Sequence, residues 1–165
     1  MRLHTHADLV IVSINANGLN VPEKSRLIRE LCALKASIVF LQETHFCRDM
    51  PTTLTSRPYP EGYYSNYIAA KSRGTAILFS HDVPFQLEEQ QINDEGRYIF
   101  LRGKILGTQY TFASIYLPNT GQHKCLARIL KRLTSFSSGI LVLAGDFNVP
   151  LDPRMDTSRK CSSIP

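Results

Sequence analysis

A chain of 165 residues is long enough to close one domain around a real core, and its 43% apolar and 20% charged residues match a soluble globular protein. No apolar run reaches the length of a transmembrane helix, and the N-terminus, MRLHTHAD, lacks the apolar stretch of a signal peptide, so neither a membrane protein nor a secreted one is expected. The net charge of +5 and pI near 9.1 tilt the expected partner toward an anion such as nucleic acid.

The four cysteines, Cys32, Cys47, Cys125 and Cys161, show neither zinc-ligand spacing nor a disulfide framework. Cys32 falls on the apolar side of an expected helix, as a small buried thiol, and a reducing intracellular compartment follows.

In chain order, residues 1–7 read as a flexible end. Leu9–Ile14 is short and β-branched, a buried strand. NANGLN is a turn-rich loop, and Pro22 and Glu23 suit the first turn of a helix. Leu27, Ile28, Leu31 and Leu34 recur at helical spacing, with Lys24, Arg26, Arg29 and Glu30 on other faces. Ser37–Leu41 is a second buried strand, so this stretch reads as a βαβ unit with parallel strands. The chain is loop-like from Phe46 to Pro60.

Tyr63–Ala70 and Gly74–Phe79 read as consecutive strands joined by a basic turn at Lys71, Ser72 and Arg73. Phe85–Ile92 is another strand, and Tyr98–Ile105 and Gln109–Tyr116 form a hairpin around Leu106-Gly107-Thr108. Lys124–Ser137 is a second helix, with Leu126, Ile129, Leu130 and Leu133 as its apolar stripe and Lys124, Arg128, Lys131 and Arg132 in water. Ile140–Leu143 is a further buried strand, followed by a tail, 151–165, with little apolar signal.

The most apolar strands end on polar residues: Asn15, Glu43, Tyr116, and Asp146 with Asn148 just beyond. In open α/β sheets ligands sit beyond the carboxyl ends of strands, where side chains distant in sequence converge. Glu43 and Asp146 offer anionic oxygens and Asn15 and Asn148 neutral ones, a donor set suited to magnesium and unlike a Cys/His zinc site. Such a metal can neutralise a phosphate oxygen and the leaving oxyanion in a phosphodiester displacement. Asp146 can orient or deprotonate the attacking water, while Asn148 and Tyr116 can donate to the phosphorane.

Each residue also has a plainer reading. Asn15 and Asn17 beside Gly18 suit a turn, Glu43 a solvated strand end, and Tyr116 the edge of a core. His45 reads as a surface histidine, His4 and His6 as tail residues, and His81 and His123 as turn residues. The basic residues of the second helix read as its wet face.

SINANGL (13–19), LQETH (41–45), GTAILFS (74–80), IYLPNTG (115–121) and GDFNVPLD (145–152) stand in the order of the endonuclease/exonuclease/phosphatase superfamily. From about Asp8 onward the chain resembles exonuclease III and apurinic/apyrimidinic endonucleases, and most of all the endonuclease domain of vertebrate LINE-type retrotransposons. The resemblance implies an α/β (α+β) fold: a four-layer αββα sandwich of the DNase I-like type. It implies magnesium-dependent hydrolysis of DNA, with manganese as an alternative ion, and nuclear residence. By the same resemblance, Asn15, Glu43, Asp146 and Asn148 match metal-binding positions. Tyr116, Asp146 and Asn148 match catalytic positions, and Asn119 a further polar position lining the site. No obligate protein partner is evident.

Domains of that family also bring an Asp-His pair after GDFN, whereas no histidine follows Asp146 here. Residues 8–165 are therefore expected to be a partial domain, lacking the C-terminal part and inactive or nearly so alone. Loss of such a histidine costs roughly 10²–10⁴ in rate. The alternatives are a catalytically dead DNA-binding remnant, or a phosphatase of the same superfamily acting on phosphoinositides or sphingolipids.

Overall fold

The computed structural model describes residues 8–46, 53–67 and 69–149. The expectations for residues 1–7, Cys47, Cys161 and the tail 151–165 lie outside the described residues.

β1 (Ile11–Asn15), α1 (Val21–Ala33) and β2 (Ile38–Gln42) form the expected βαβ unit. The Asn20 side chain caps α1 by accepting from the Glu23 amide, and a proline stands in the first turn, where no backbone donor is missed. β1 and β2 run parallel, from Ile11 opposite Ile38 to Asn15 opposite Gln42. β3 (Glu61–Ser65) and β4 (Thr75–Phe79) complete a four-stranded sheet of order β1-β2-β4-β3.

β3 ends five residues before the expected Ala70, for a visible reason. The Ser65 hydroxyl donates to the Asn93 carbonyl at 2.6 Å, and Tyr67 bridges to Glu95, so the chain leaves its own sheet for the other.

The second sheet has the order β5-β6-β7-β8: β5 (Phe85–Ile92), β6 (Tyr98–Ile105), β7 (Thr108–Tyr116) and β8 (Ile140–Asp146). α2 (Gln122–Phe136) crosses between β7 and β8, which are therefore parallel. His123 thus lies in the first turn of that helix rather than in a turn before it.

Three apolar clusters stack the elements into four layers. Leu27 and Leu31 of α1 pack on Val39, Leu41, Ala76 and Leu78 of the first sheet. Ile129, Leu133 and Phe136 of α2 pack on Tyr98, Phe100, Ala113 and Ile115 of the second. Between the sheets lie Ile38, Phe40, Ile77, Phe79, Phe85, Ile99, Leu101 and Phe112. The expected αββα sandwich is present, and no helix among the described residues is long and apolar enough to cross a membrane.

Five expectations about burial are corrected. β1 and β8 are the edge strands of their sheets rather than buried strands, leaving Ile11 43% and Ile140 51% exposed. Their apolar character matches that of central strands, but each has one hydrogen-bonded neighbour. Leu34 is the C-cap of α1 and is exposed, as is Cys32. On α2 the inward stripe runs Cys125, Ile129, Leu133, Phe136, which turns Leu130 outward.

Phe112 is fully buried and its ring meets Phe40, Phe79, Phe85 and Tyr110. Phe112→Ala is expected to lower unfolding free energy by about 3–5 kcal/mol. Leu106→Ala, at a hairpin tip that is 82% exposed, should change it by no more than about 0.5 kcal/mol. Urea titrations of the two variants check this.

Candidate active site

The carboxyl ends of the two parallel pairs, β1–β2 and β7–β8, lie together at one end of the sandwich. Register sets this: Asn15 pairs with Gln42, the residue before Glu43, and Tyr116 pairs with Asp146. At the cleft itself the sheets are linked by Asn15, whose Nδ2 donates to Glu43 Oε1 at 2.9 Å and to Asp146 Oδ2 at 2.7 Å. Its Oδ1 accepts from the Asn17 amide at 3.0 Å, which holds the amide with its donors toward the acids. The Tyr116 hydroxyl faces the same Glu43 carboxylate.

The backbone here is unusual. Asn17, Glu43, His45 and Asn148, four of the seven non-glycine residues with positive φ among the described residues, flank this cleft. Such left-handed conformations are costly for side-chain-bearing residues and gather at functional sites. Backbone bonds hold them: Ala16 and Gly18 amides donate to the Gln42 and Glu43 carbonyls at 2.8 and 2.7 Å.

Asp146 is held from three sides. Its Oδ1 accepts from the Asn148 amide at 3.0 Å, its Oδ2 from Asn15, and its carbonyl from the Leu117 amide at 2.9 Å. Asn148 sits behind it, with Nδ2 donating to the Leu117 carbonyl at 2.7 Å. Gln122, in the first turn of α2, ties the two loops by donating to the carbonyls of Asn119 and Asn148. The Asn119 side chain is exposed and makes no hydrogen bond among the described residues. Asn15, Glu43, Tyr116 and Asp146 are thus brought together, Asn148 backs them, and Asn119 stands at the rim.

Electrostatics follow from these contacts. Burial pushes the Glu43 carboxyl up, but hydrogen bonds from Asn15, Tyr116 and His45, with the charge of His45, outweigh it and hold the group below its ordinary value. Burial raises the Tyr116 phenol, and its bond to Glu43 and the charges of Glu43 and Asp146 raise it further, against Arg97. Tyr116 therefore stays a neutral donor.

Several residues here escape sequence reading. His45 is more than a surface histidine: its Nε2 lies 3.4 Å from Glu43 Oε2. Gln42 is 1% exposed, and its Nε2 donates to Ser13 and Ser114 hydroxyls at 3.4 and 3.3 Å, a polar tie between the sheets beneath the cleft. Arg97 lies over the Tyr116 ring at 5.0 Å, because β6 begins where β7 ends, with Tyr98 opposite Ile115. The only sequence signal for it is the Gly96-Arg97 step opening a strand.

The donors facing the cleft are oxygens, two of them carboxylates, and these fit a small hard divalent cation that keeps most of its waters. Glu43 and Asp146 would carry most of its charge; the Asn15 amide presents its nitrogen to them, so its carbonyl oxygen would serve as a neutral donor only with the amide turned over. Among the described residues no group of three or more His, Cys, Asp or Glu side chains gathers.

The profile of the Endonuclease/Exonuclease/phosphatase family matches residues 12–161. The chain is 29% identical over 154 residues to the "Transposon TX1 uncharacterized 149 kDa protein" of Xenopus laevis, covering 88% of this chain and 11% of that one. D. rerio TDP2 complexed with single-strand DNA product superposes with a TM-score of 0.66 at 20% identity, covering 88% of this chain and 62% of that one. The endonuclease domain of TRAS1, a telomere-specific non-LTR retrotransposon, gives 0.62 at 15% identity, covering 87% and 60%. The chain belongs to the Endonuclease/Exonuclease/phosphatase family. It spans about a tenth of the Xenopus relative and about three fifths of these two structures.

Two predictions follow from the geometry. Asn15→Ala should raise the Glu43 pKa toward its ordinary value, read from the Glu43 carboxyl resonance in an NMR titration. A folded-state pKa below the unfolded one stabilises the fold above the unfolded value, and that stability is lost as pH falls through the folded value. The variant should therefore lose less stability than wild type on acidification. Gly145 has φ +157°, and a Cβ there would lie 2.0 Å from the Ile115 carbonyl oxygen. Gly145→Ala should part β8 from β7 at the cleft and expose the Leu117 amide to hydrogen exchange.

Proposed function

We propose that this chain carries the metal-binding half-site of a magnesium-dependent DNA endonuclease, exonuclease III-like and of retrotransposon origin. The carrying observation is the Asn15 amide between Glu43 and Asp146, which holds two carboxylates from different sheets on one cleft beside a neutral tyrosine. The family membership, the transposon relative and the DNA-bound structural neighbour support it.

In this reading Glu43 holds the cation, joined by the Asn15 oxygen once that amide turns over to release the two acids, and the lowered pKa of Glu43 keeps it anionic at neutral pH. Bound magnesium, or manganese in its place, supplies charge neutralisation at the phosphate and the leaving oxygen. Asp146, also at the metal, accepts a proton from or orients the attacking water. Tyr116 donates its hydroxyl proton to a phosphate oxygen. Asn148 keeps Asp146 aligned through its amide and offers its remaining side-chain donor to the phosphate or its oxygen to the metal, while Asn119 lines the rim. Residues 8–165 form part of the catalytic domain, the substrate is nuclear DNA, and neither a membrane nor an obligate protein partner takes part.

The test is nicking of supercoiled plasmid by the purified chain with magnesium, with manganese and with EDTA, beside Glu43→Ala and Asp146→Ala. The expected result is slow nicking that needs the metal and falls at least about 10²-fold in either variant. Cleavage that survives EDTA or both substitutions would sink the assignment. DNA binding with no nicking at all would favour the DNA-binding remnant, and release of inorganic phosphate from a small substrate would favour the phosphatase branch.

A further inference from the structure

We propose that the groove between α2 and the start of β6 is a track for the sugar-phosphate backbone of a nucleic-acid strand leading away from the cleft. The proposal rests on the nucleic-acid reading above, and deepens it by assigning residues outside the acidic site.

The groove begins at Arg97. Its guanidinium covers the Tyr116 ring, and its Nη1 is buried with no hydrogen-bond partner among the described residues. A guanidinium nitrogen shut away from water and unpaired is costly unless an acceptor arrives. Burial and the like charge of Arg73 both bear against its protonated form. Arg97 opens onto a pocket of about 110 Å³ whose walls include Arg128, Arg132 and Tyr98, room for a tetrahedral oxyanion.

The pocket does not stop there. Arg128 and Arg132 also wall a broader groove of about 570 Å³, joined by Arg102 and Lys131. Five cations therefore line one continuous path, against Glu89 and Glu95. Glu89 is already paired with Arg102. Among the described residues, Arg97, Arg128, Lys131 and Arg132 have no carboxylate within 4.0 Å.

Residues 128, 131 and 132 fall on one side of α2, while Ile129 and Leu133 face the core. The basic side of this helix is thus a groove wall rather than merely a wet face. From Arg97 to Arg102 the path follows β6 for about 16 Å, room for more than one backbone phosphate. The ring at its far end, Phe136, is buried, so the walls offer charge and no exposed stacking platform. Such a surface reads phosphates without reading sequence.

The test is fluorescence anisotropy with a labelled single-stranded DNA of mixed sequence. EDTA is present throughout, so that neither cleavage nor metal affects the result. Wild type is compared with Arg128→Ala/Arg132→Ala, with the double lysine variant, and with Arg29→Ala on α1. The double alanine variant is expected to bind roughly tenfold more weakly, with the salt slope reduced by about 1.4 for two phosphate contacts. The lysine pair should restore most of the affinity, and Arg29→Ala should match wild type. A thermal melt unchanged from wild type confirms that the alanine pair is folded, and recovery in the lysine pair excludes a folding loss.

Equal binding by wild type and the alanine pair overturns the proposal, whatever the plasmid assay shows. So does a polyglutamate peptide that binds as tightly as DNA with the same dependence on the two arginines, which would mark a surface for acidic protein. If plasmid is not nicked but the arginine-dependent binding stands, the endonuclease reading fails and the track survives.

Discussion

The contact between the two sheets is the constraint on which the site depends. Asn15 and Glu43 belong to one sheet, Tyr116 and Asp146 to the other, so no single sheet can assemble the cleft. An aromatic cluster sets the distance between them. Phe79 stacks on Phe85 at 4.2 Å and meets Phe112 edge-on at 5.3 Å, with Tyr63 and Phe40 around them. Offset and edge-to-face rings have preferred separations, so this core acts as a spacer as well as a source of burial energy.

Across that spacer the charges are arranged so that each is useful in one protonation state. Two carboxylates brought to a common amide would repel if nothing intervened. Asn15 instead gives each a donor, and Tyr116 and His45 add to Glu43. Arg97 supplies positive charge from the side, over the ring of Tyr116. Glu43 is held toward its ionised form and the Tyr116 phenol toward its protonated one.

Much of this was legible in the sequence because it depends on local pattern. The bounds of β5 and β6 are those expected from the sequence, Phe85–Ile92 and Tyr98–Ile105, and the βαβ unit follows from a β-branched run, a capped helix and a second run. The four strand-end residues were visible as polar interruptions of apolar runs. What could not be read depends on neighbours. An apolar strand looks alike at the centre and at the edge of a sheet, so β1 and β8 read as buried. Whether Leu130 or Phe136 faces the core turns on a small rotation of α2. Arg97 and His45 gain their partners through strand register and left-handed backbone, neither of which leaves a periodic signature.

The polar ties between the sheets have an uneven distribution with a mechanical consequence. Asn15 to Asp146, Gln42 to Ser114, Ser65 to the Asn93 carbonyl, and the Gly74 amide to the Gly96 carbonyl all lie near the strand ends that form the cleft. Toward the opposite end, where Phe79, Phe85 and Ile105 meet, the sheets touch through apolar side chains. Directional bonds resist sliding, whereas apolar contacts tolerate it. A shearing sandwich of this kind pivots about its laced end. The expected consequence is that motion between the sheets is greatest far from the acids and smallest at the cleft, so that the cleft keeps its dimensions while the far end of the sandwich shifts.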